Sequence, residues 1–221
     1  MNEHAPAAHH HELPDQAGLE RLVGEVLETA RAQGAAAAEV TASHEAGLSA
    51  TVRMGDVETL EYNRDRGLAV TVYFGNRKGS ASTADLSSEA VRQTVQQACA
   101  IARYTTEDAC AGLADPARVA RDVPDLALYH AWGLTPDAAI ERALACESAA
   151  RAYDPRIDNS EGASVSSHSG VTVYGNTHGF IGGYPGTQHS IACAVIGRHD
   201  DRMQRDHWFT IARDPAELEP A

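Results

Sequence analysis

The sequence predicts an α+β fold in which antiparallel β-meanders pack with three main helices. Three observations carry this. Long segments repeat apolar residues three and four positions apart, and each begins or ends on a capping signal. Between them lie short runs of alternating polarity, rich in Val, Thr, Tyr and Phe. Short glycine-containing turns join successive runs, as hairpins require.

Residues 1–15 read as a disordered polar tail. His4, His9, His10 and His11 stand there among Ala and Pro with no helix to fix them. The first helix is predicted from about Asp15 to Gln33. Leu19, Leu22, Val23, Val26, Leu27 and Ala30 form its apolar face, and Gly34 suits a left-handed C-terminal cap. Strands are predicted over residues 38–43, 48–54, 57–62, 68–74 and 80–83. Gly55-Asp56 and residues 75–79 serve as hairpin turns.

A second helix begins near Ser87, whose hydroxyl caps a free amide while Glu89 favours the positive end of the helix dipole. Val91, Val95, Ala98, Ile101 and Ala102 are its predicted buried stripe. Residues 105–132 read as a connector with short turns, containing Pro116 and Pro124. Thr135-Pro136-Asp137 starts the third helix, which must stop before Asp154-Pro155 because a residue preceding proline avoids the α region. Ile140, Ala143, Leu144 and Ala150 are its expected buried residues. Strands follow at 157–165, 171–175, 180–184, 191–196 and 205–213, with the 191–196 run apolar on both faces and therefore placed inside a sheet. The two β–α blocks hint at a repeat, but their sequences match too weakly to establish one.

The net charge of −13 disfavours nucleic acid and anionic membranes as partners. Arg64, Arg66, Arg77 and Lys78 are the nearest thing to a basic patch, and read as solvated turn residues. No run approaches the roughly 20 apolar residues of a membrane span, and the N-terminus lacks a signal-peptide core. The expected setting is cytoplasmic. Cys99, Cys110, Cys146 and Cys193 form no C-x-x-C pair; buried free thiols are expected, consistent with a reducing compartment.

Four kinds of chemistry can be tested by motif. A zinc peptidase places two histidines one helical turn apart with a glutamate between them, so that both imidazoles face the metal and the acid works on its water. His11-Glu12 and His44-Glu45 are the His-Glu pairs, and neither is followed by a second His in reach. His168, His178 and His189 have no helix to converge them, and His178 and His189 are predicted in loops. Ser164, Ser166, Ser167, His168 and Asp158 lie close in sequence, but the second glycine of a nucleophile elbow is missing. In residues 75–80 Lys78 precedes Gly79 and a strand follows, so the stretch is a hairpin turn and not a phosphate loop.

At residues 62–87, YNRDRGLAVTVYFGNRKGSASTADLS, the chain resembles the PmbA (TldE) branch of the TldD/PmbA metalloprotease family. The match continues through Ile101-Ala102-Arg103-Tyr104-Thr105, Cys110-Ala111-Gly112-Leu113-Ala114, residues 158–180 (DNSEGASVSSHSGVTVYGNTHGF) and residues 203–213, which include Arg205-Asp206-His207-Trp208. The segments are long and collinear.

The resemblance implies a cytoplasmic heterodimer in which TldD and PmbA chains together cleave unfolded peptides, mature microcin-type peptides and degrade an antitoxin. It places the zinc motif H-E-x-x-x-H in the TldD-like catalytic subunit. Residues 16–221 then correspond to the family's N-terminal domain, with a candidate internal boundary at 105–132; the β-rich C-terminal domain is absent. No position here matches a family catalytic residue, so no catalytic, cofactor-binding or metal-ligating residue is assigned. Zinc is expected only in the TldD-type partner. The expected function is a supporting, non-zinc role in proteolysis of unfolded peptide. The alternatives are a truncated or non-catalytic interaction module and a self-sufficient peptidase, against which the missing zinc motif argues.

Overall fold

The computed structural model describes residues 15–219. The polar tail expected over residues 1–15 therefore lies outside the described residues, apart from Asp15. Three helices, α1 (Gln16–Ala32), α2 (Ser88–Tyr104) and α3 (Pro136–Ala152), back one antiparallel sheet. Its strands are β1 (Ala37–Arg53), β2 (Asp56–Phe74), β3 (Arg77–Thr83), β4 (Ile157–Asn176), β5 (Ile181–His199) and β6 (Arg202–Ala212), in the order β3-β2-β1-β4-β5-β6.

That order exposes a repeat that the sequence hides. Both α1–β1–β2–β3 and α3–β4–β5–β6 are a helix followed by a meander, and β1 pairs antiparallel with β4 at the centre. α1 lies over Ala38, Val40, Ala42, Val171 and Val173; α3 lies over Leu48, Ala50, Val52, Ala163 and Val165. Each helix thus covers the start of its own first strand and the end of the other's. Apart from Gly47, the buried residues along β1 are all even-numbered, so side-chain alternation puts every helix on one face of the sheet.

Helix ends follow their local chemistry. Asp15 caps α1 at the Gly18 amide (2.9 Å), Ser87 caps α2 at Ala90, and Thr135 caps α3 at Ala138 (3.2 Å) with Pro136 in the first turn. Gly34 adopts φ +88, and bonds from Gly34 to Arg31 and from Ala35 to Ala30 close α1 in a Schellman motif. Ile101, expected in the α2 stripe, is exposed; Thr94 and Cys99 take the buried positions.

The strands differ from expectation in length. Predicted pairs of short strands fuse into β1, β2, β4 and β5, each of 17–20 residues. The glycines that look like breaks, Gly47, Gly67, Gly170 and Gly186, sit inside the ladders. At Gly47 a Cβ would strike the His168 ring and the Asn63 side chain from the two neighbouring strands, so glycine there marks close approach and not a turn. Arg64, Arg66, Arg77 and Lys78 are accordingly exposed strand residues, not turn residues. Gly79 lies against the backbone of α2 at Ala98 and Ala102, where a side chain has no room.

The first hairpin turn is shifted by one residue from Gly55-Asp56. Arg53 pairs with Asp56, and Met54 (φ 54) and Gly55 (φ 87) form the turn. Two successive positive φ values suit the right-handed twist of a hairpin, but methionine rarely adopts one. Glu147 of α3 supplies the compensation. Its carboxylate, 1% exposed, accepts hydrogen bonds from the Met54 and Gly55 amides, both at 2.8 Å.

The connector between α2 and α3 contains one 3-10 turn, Pro116–Arg118. Its latter part is fastened to β5: the Thr187 amide donates to Leu128 O, and the His130 amide donates to Thr187 Oγ1, each at 3.0 Å.

Candidate functional site

The histidines tested as a metal set are dispersed. His168 is half-buried on the helix-free face of β4, beside Gly47. His178 is exposed in the turn between β4 and β5. His189, expected in a loop, is a buried residue of β5 on the helix side, 1% exposed. Among the described residues no group of three or more His, Cys, Asp or Glu side chains stands close enough to hold a metal ion.

His189 meets Ser167 across the β4–β5 ladder, with Nδ1 3.0 Å from the hydroxyl. Its Nε2 is 2.9 Å from His130 O. A carbonyl only accepts, so Nε2 carries the proton and Nδ1 accepts from Ser167. The geometry resembles a nucleophile and its base, yet both groups are buried, and Trp132 packs edge-on against the ring at 5.2 Å. Burial holds the imidazole below its usual pKa, against the raising effect of the His130 carbonyl. The pair acts as a latch that ties the connector to the sheet. Ser164, Ser166 and His168 share the opposite face, where Ser166 bonds to Ser190 at 2.8 Å, and Asp158 pairs with Arg198 at 3.5 Å.

With α1, α2 and α3 on one side, the other face of the sheet carries no helix among the described residues. Its floor runs through Thr41, Ser43, Glu45, Gly47 and Ser49 of β1 and Ser166, His168, Gly170, Thr172 and Tyr174 of β4. At one end Tyr73 and Tyr174 donate to the two oxygens of Glu39, at 2.7 and 2.9 Å. Burial, then the Glu39 carboxylate, drives the Tyr73 hydroxyl far above its ordinary pKa, so it stays a donor. Near the centre, where Gly170 and Gly186 lack side chains, a polar hollow of about 300 Å³ is bordered by Glu45, His168, Tyr184, Gln188 and Arg213.

The sheet edges are the second candidate surface. Among the described residues β6 pairs only with β5, and residues 56–66 of β2 pair only with β1. Trp208 (70% exposed), Phe209, Ile211 and Met203 line β6, and Val57 and Leu60 stand exposed on residues 56–66 of β2. An uncovered edge carrying large apolar side chains is a template for another chain. The sequence did not reveal these edges, because strand order is not written in any local pattern.

A third feature is a groove of about 600 Å³ between the end of α3 and β5–β6, lined by Cys146, Tyr153, Ile157, Cys193 and Trp208. No helix among the described residues is long and apolar enough to cross a membrane.

Among the described residues the molecule is a one-sided α+β sheet with an open polar face and two uncovered edge segments. Residues 38–102 match the family model described as PmbA/TldA metallopeptidase domain 1, and residues 129–221 match the PmbA/TldA metallopeptidase central domain. The chain is 47% identical over 201 residues to a metalloprotease PmbA of Escherichia coli O157:H7, covering 91% of this chain and 44% of that one. It is 45% identical over 196 residues to a metalloprotease PmbA homolog of Haemophilus influenzae, covering 89% and 43%. The chain belongs to the PmbA/TldD metallopeptidase family. It spans less than half the length of these relatives.

Solved structures agree on the fold. A Bacteroides thetaiotaomicron protein described as a candidate modulator of DNA gyrase superimposes with TM-score 0.84 at 26% identity, covering 95% of this chain and 48% of that one. TldE from Thermococcus kodakarensis superimposes with TM-score 0.72 at 17% identity, covering 89% and 44%.

Proposed function

We propose that this chain is the N-terminal part of a PmbA/TldE-like subunit that supports, without a zinc of its own, the proteolysis of unfolded peptides by a TldD-like partner in the cytoplasm. The observation that carries the reading is that, among the described residues, β6 and residues 56–66 of β2 each pair on one side only, beside an open polar sheet face. An extended peptide adds to such an edge through main-chain hydrogen bonds, which hold it while reading little of its sequence. That suits substrates defined by being unfolded. The zinc chemistry belongs to the partner, since neither His-Glu pair in this chain has a second histidine one helical turn away.

A second reading, a non-catalytic interaction module acting alone, draws on the exposed Trp208, Phe209 and Ile211. The two separate in one experiment. A labelled unfolded peptide is titrated into the chain alone and into the chain mixed with a TldD-type subunit, using wild type and Phe209→Lys. Saturable binding by the mixture that weakens at least tenfold in the variant supports the support-subunit reading. Binding by the chain alone, unchanged by the partner, supports the module. No peptide binding in either mixture overturns both.

A further inference from the structure

The groove beside α3 has two thiols at its floor. Cys146 projects from α3 and is 6% exposed; Cys193 projects from the helix side of β5 and is half-buried. Both side chains line the groove. Cys146 belongs to the buried apolar cluster with Ala139, Ala143 and Ile191, and Cys193 packs against that cluster. Cys99 is enclosed in the core between α1, α2 and the sheet, and Cys110 is exposed in the connector.

We propose that Cys146 and Cys193 are a redox-active dithiol, oxidised by a peroxide entering the groove to a disulfide that joins α3 to β5. The neighbouring Cys193 thiol holds the Cys146 thiol below its ordinary pKa against the opposing pull of burial. Cys146 is therefore the attacking thiolate. Its sulfur attacks one peroxide oxygen, the O–O bond breaks, and a sulfenic acid forms with release of water. Cys193 then attacks the sulfenic sulfur, the S–O bond breaks, and a second water leaves with the Cys193 proton. Two thiols lose two electrons, and one hydrogen peroxide becomes two waters. The S–S bond of about 2.05 Å joins two side chains that already line one groove.

The consequence is local. Glu147 follows Cys146 and holds the β1–β2 turn, so the disulfide fixes α3 against both the turn and β5. It also draws in the floor of the groove beneath Trp208, the register partner of Cys193.

The test treats the 221-residue chain with hydrogen peroxide, blocks remaining thiols with N-ethylmaleimide under denaturing conditions, and maps peptides without reduction. A cross-linked peptide pair containing Cys146 and Cys193, with Cys99 and Cys110 alkylated and the link reversed by dithiothreitol, is the expected result. Cys193→Ser should instead leave a dimedone-reactive sulfenic acid at Cys146, and Cys146→Ser should remove both products. Full alkylation of all four cysteines after peroxide, or a link through Cys110, overturns the proposal. So does sulfinic acid at Cys146 in the wild-type chain without a disulfide. The wild-type map alone decides the matter if either variant fails to fold.

Discussion

At the scale of single residues, two buried polar side chains do structural work that looks catalytic in outline. Glu147 is a charged residue with almost no exposure, and charge at that burial is costly unless fully bonded. Burial pushes its carboxyl pKa up, but the Ser160 hydroxyl, the Met54 and Gly55 amides and the charge of Arg151 together hold it below the ordinary value. A depressed carboxyl pKa contributes stability above the unfolded value, about pH 4.3, and that stability is lost as pH falls through the folded value. Glu147→Gln turns an amide N–H toward a turn amide and should cost about 1–3 kcal/mol at pH 7, read from urea midpoints. The gap between wild type and variant should close below about pH 4. An unchanged midpoint at neutral pH would remove Glu147 from the account. His189→Ala should leave His130 O without its donor. Trypsin should then cut at Arg118 and Arg121 of the connector markedly faster than in the wild type, while equal cleavage would mean the latch bears no load. Neither residue was legible in the sequence. A glutamate on an alanine-rich helix reads as solvent-facing, and a histidine next to Gly186-Thr187-Gln188 reads as loop, because both are placed by partners far along the chain. The expected buried set of α3 was rotated for the same reason: Ala139, Ala143, Cys146 and Glu147 are inside, whereas Ile140 and Leu144 are only half-buried.

Among the elements, helices were the most legible. Caps at Ser87, Thr135 and Gly34 act through neighbouring amides and carbonyls, so residue types a few positions apart are enough to place them. Strands were found, but their lengths were not. A glycine inside a ladder and a glycine in a turn look alike in one dimension, and only the register shows Gly170 opposite both Glu45 and Gly186. Gly79 makes the distinction testable. Its missing side chain lets β3 and α2 touch backbone to backbone. Gly79→Ala should cost about 1–3 kcal/mol through overpacking, with amide exchange faster in α2 than in α3. A neutral substitution would mean that α2 shifts freely away from β3.

For the whole molecule, the repeated order of helix and meander puts two halves onto one sheet, and the central β1–β4 ladder makes them mutually dependent. Family membership rests on long collinear matches that were visible in the sequence, whereas the repeat needed the strand order. Among the described residues the same arrangement leaves one face, the outer side of β6 and residues 56–66 of β2 uncovered, which is where the support role is proposed to act. The most direct test is zinc content by elemental analysis together with peptide hydrolysis, for the purified chain alone and mixed with a TldD-type subunit, each with and without chelator. The account predicts less than stoichiometric zinc and no cleavage from the chain alone, with chelator-sensitive cleavage confined to the mixture. One tightly held zinc per chain, accompanied by hydrolysis without the partner, would contradict it.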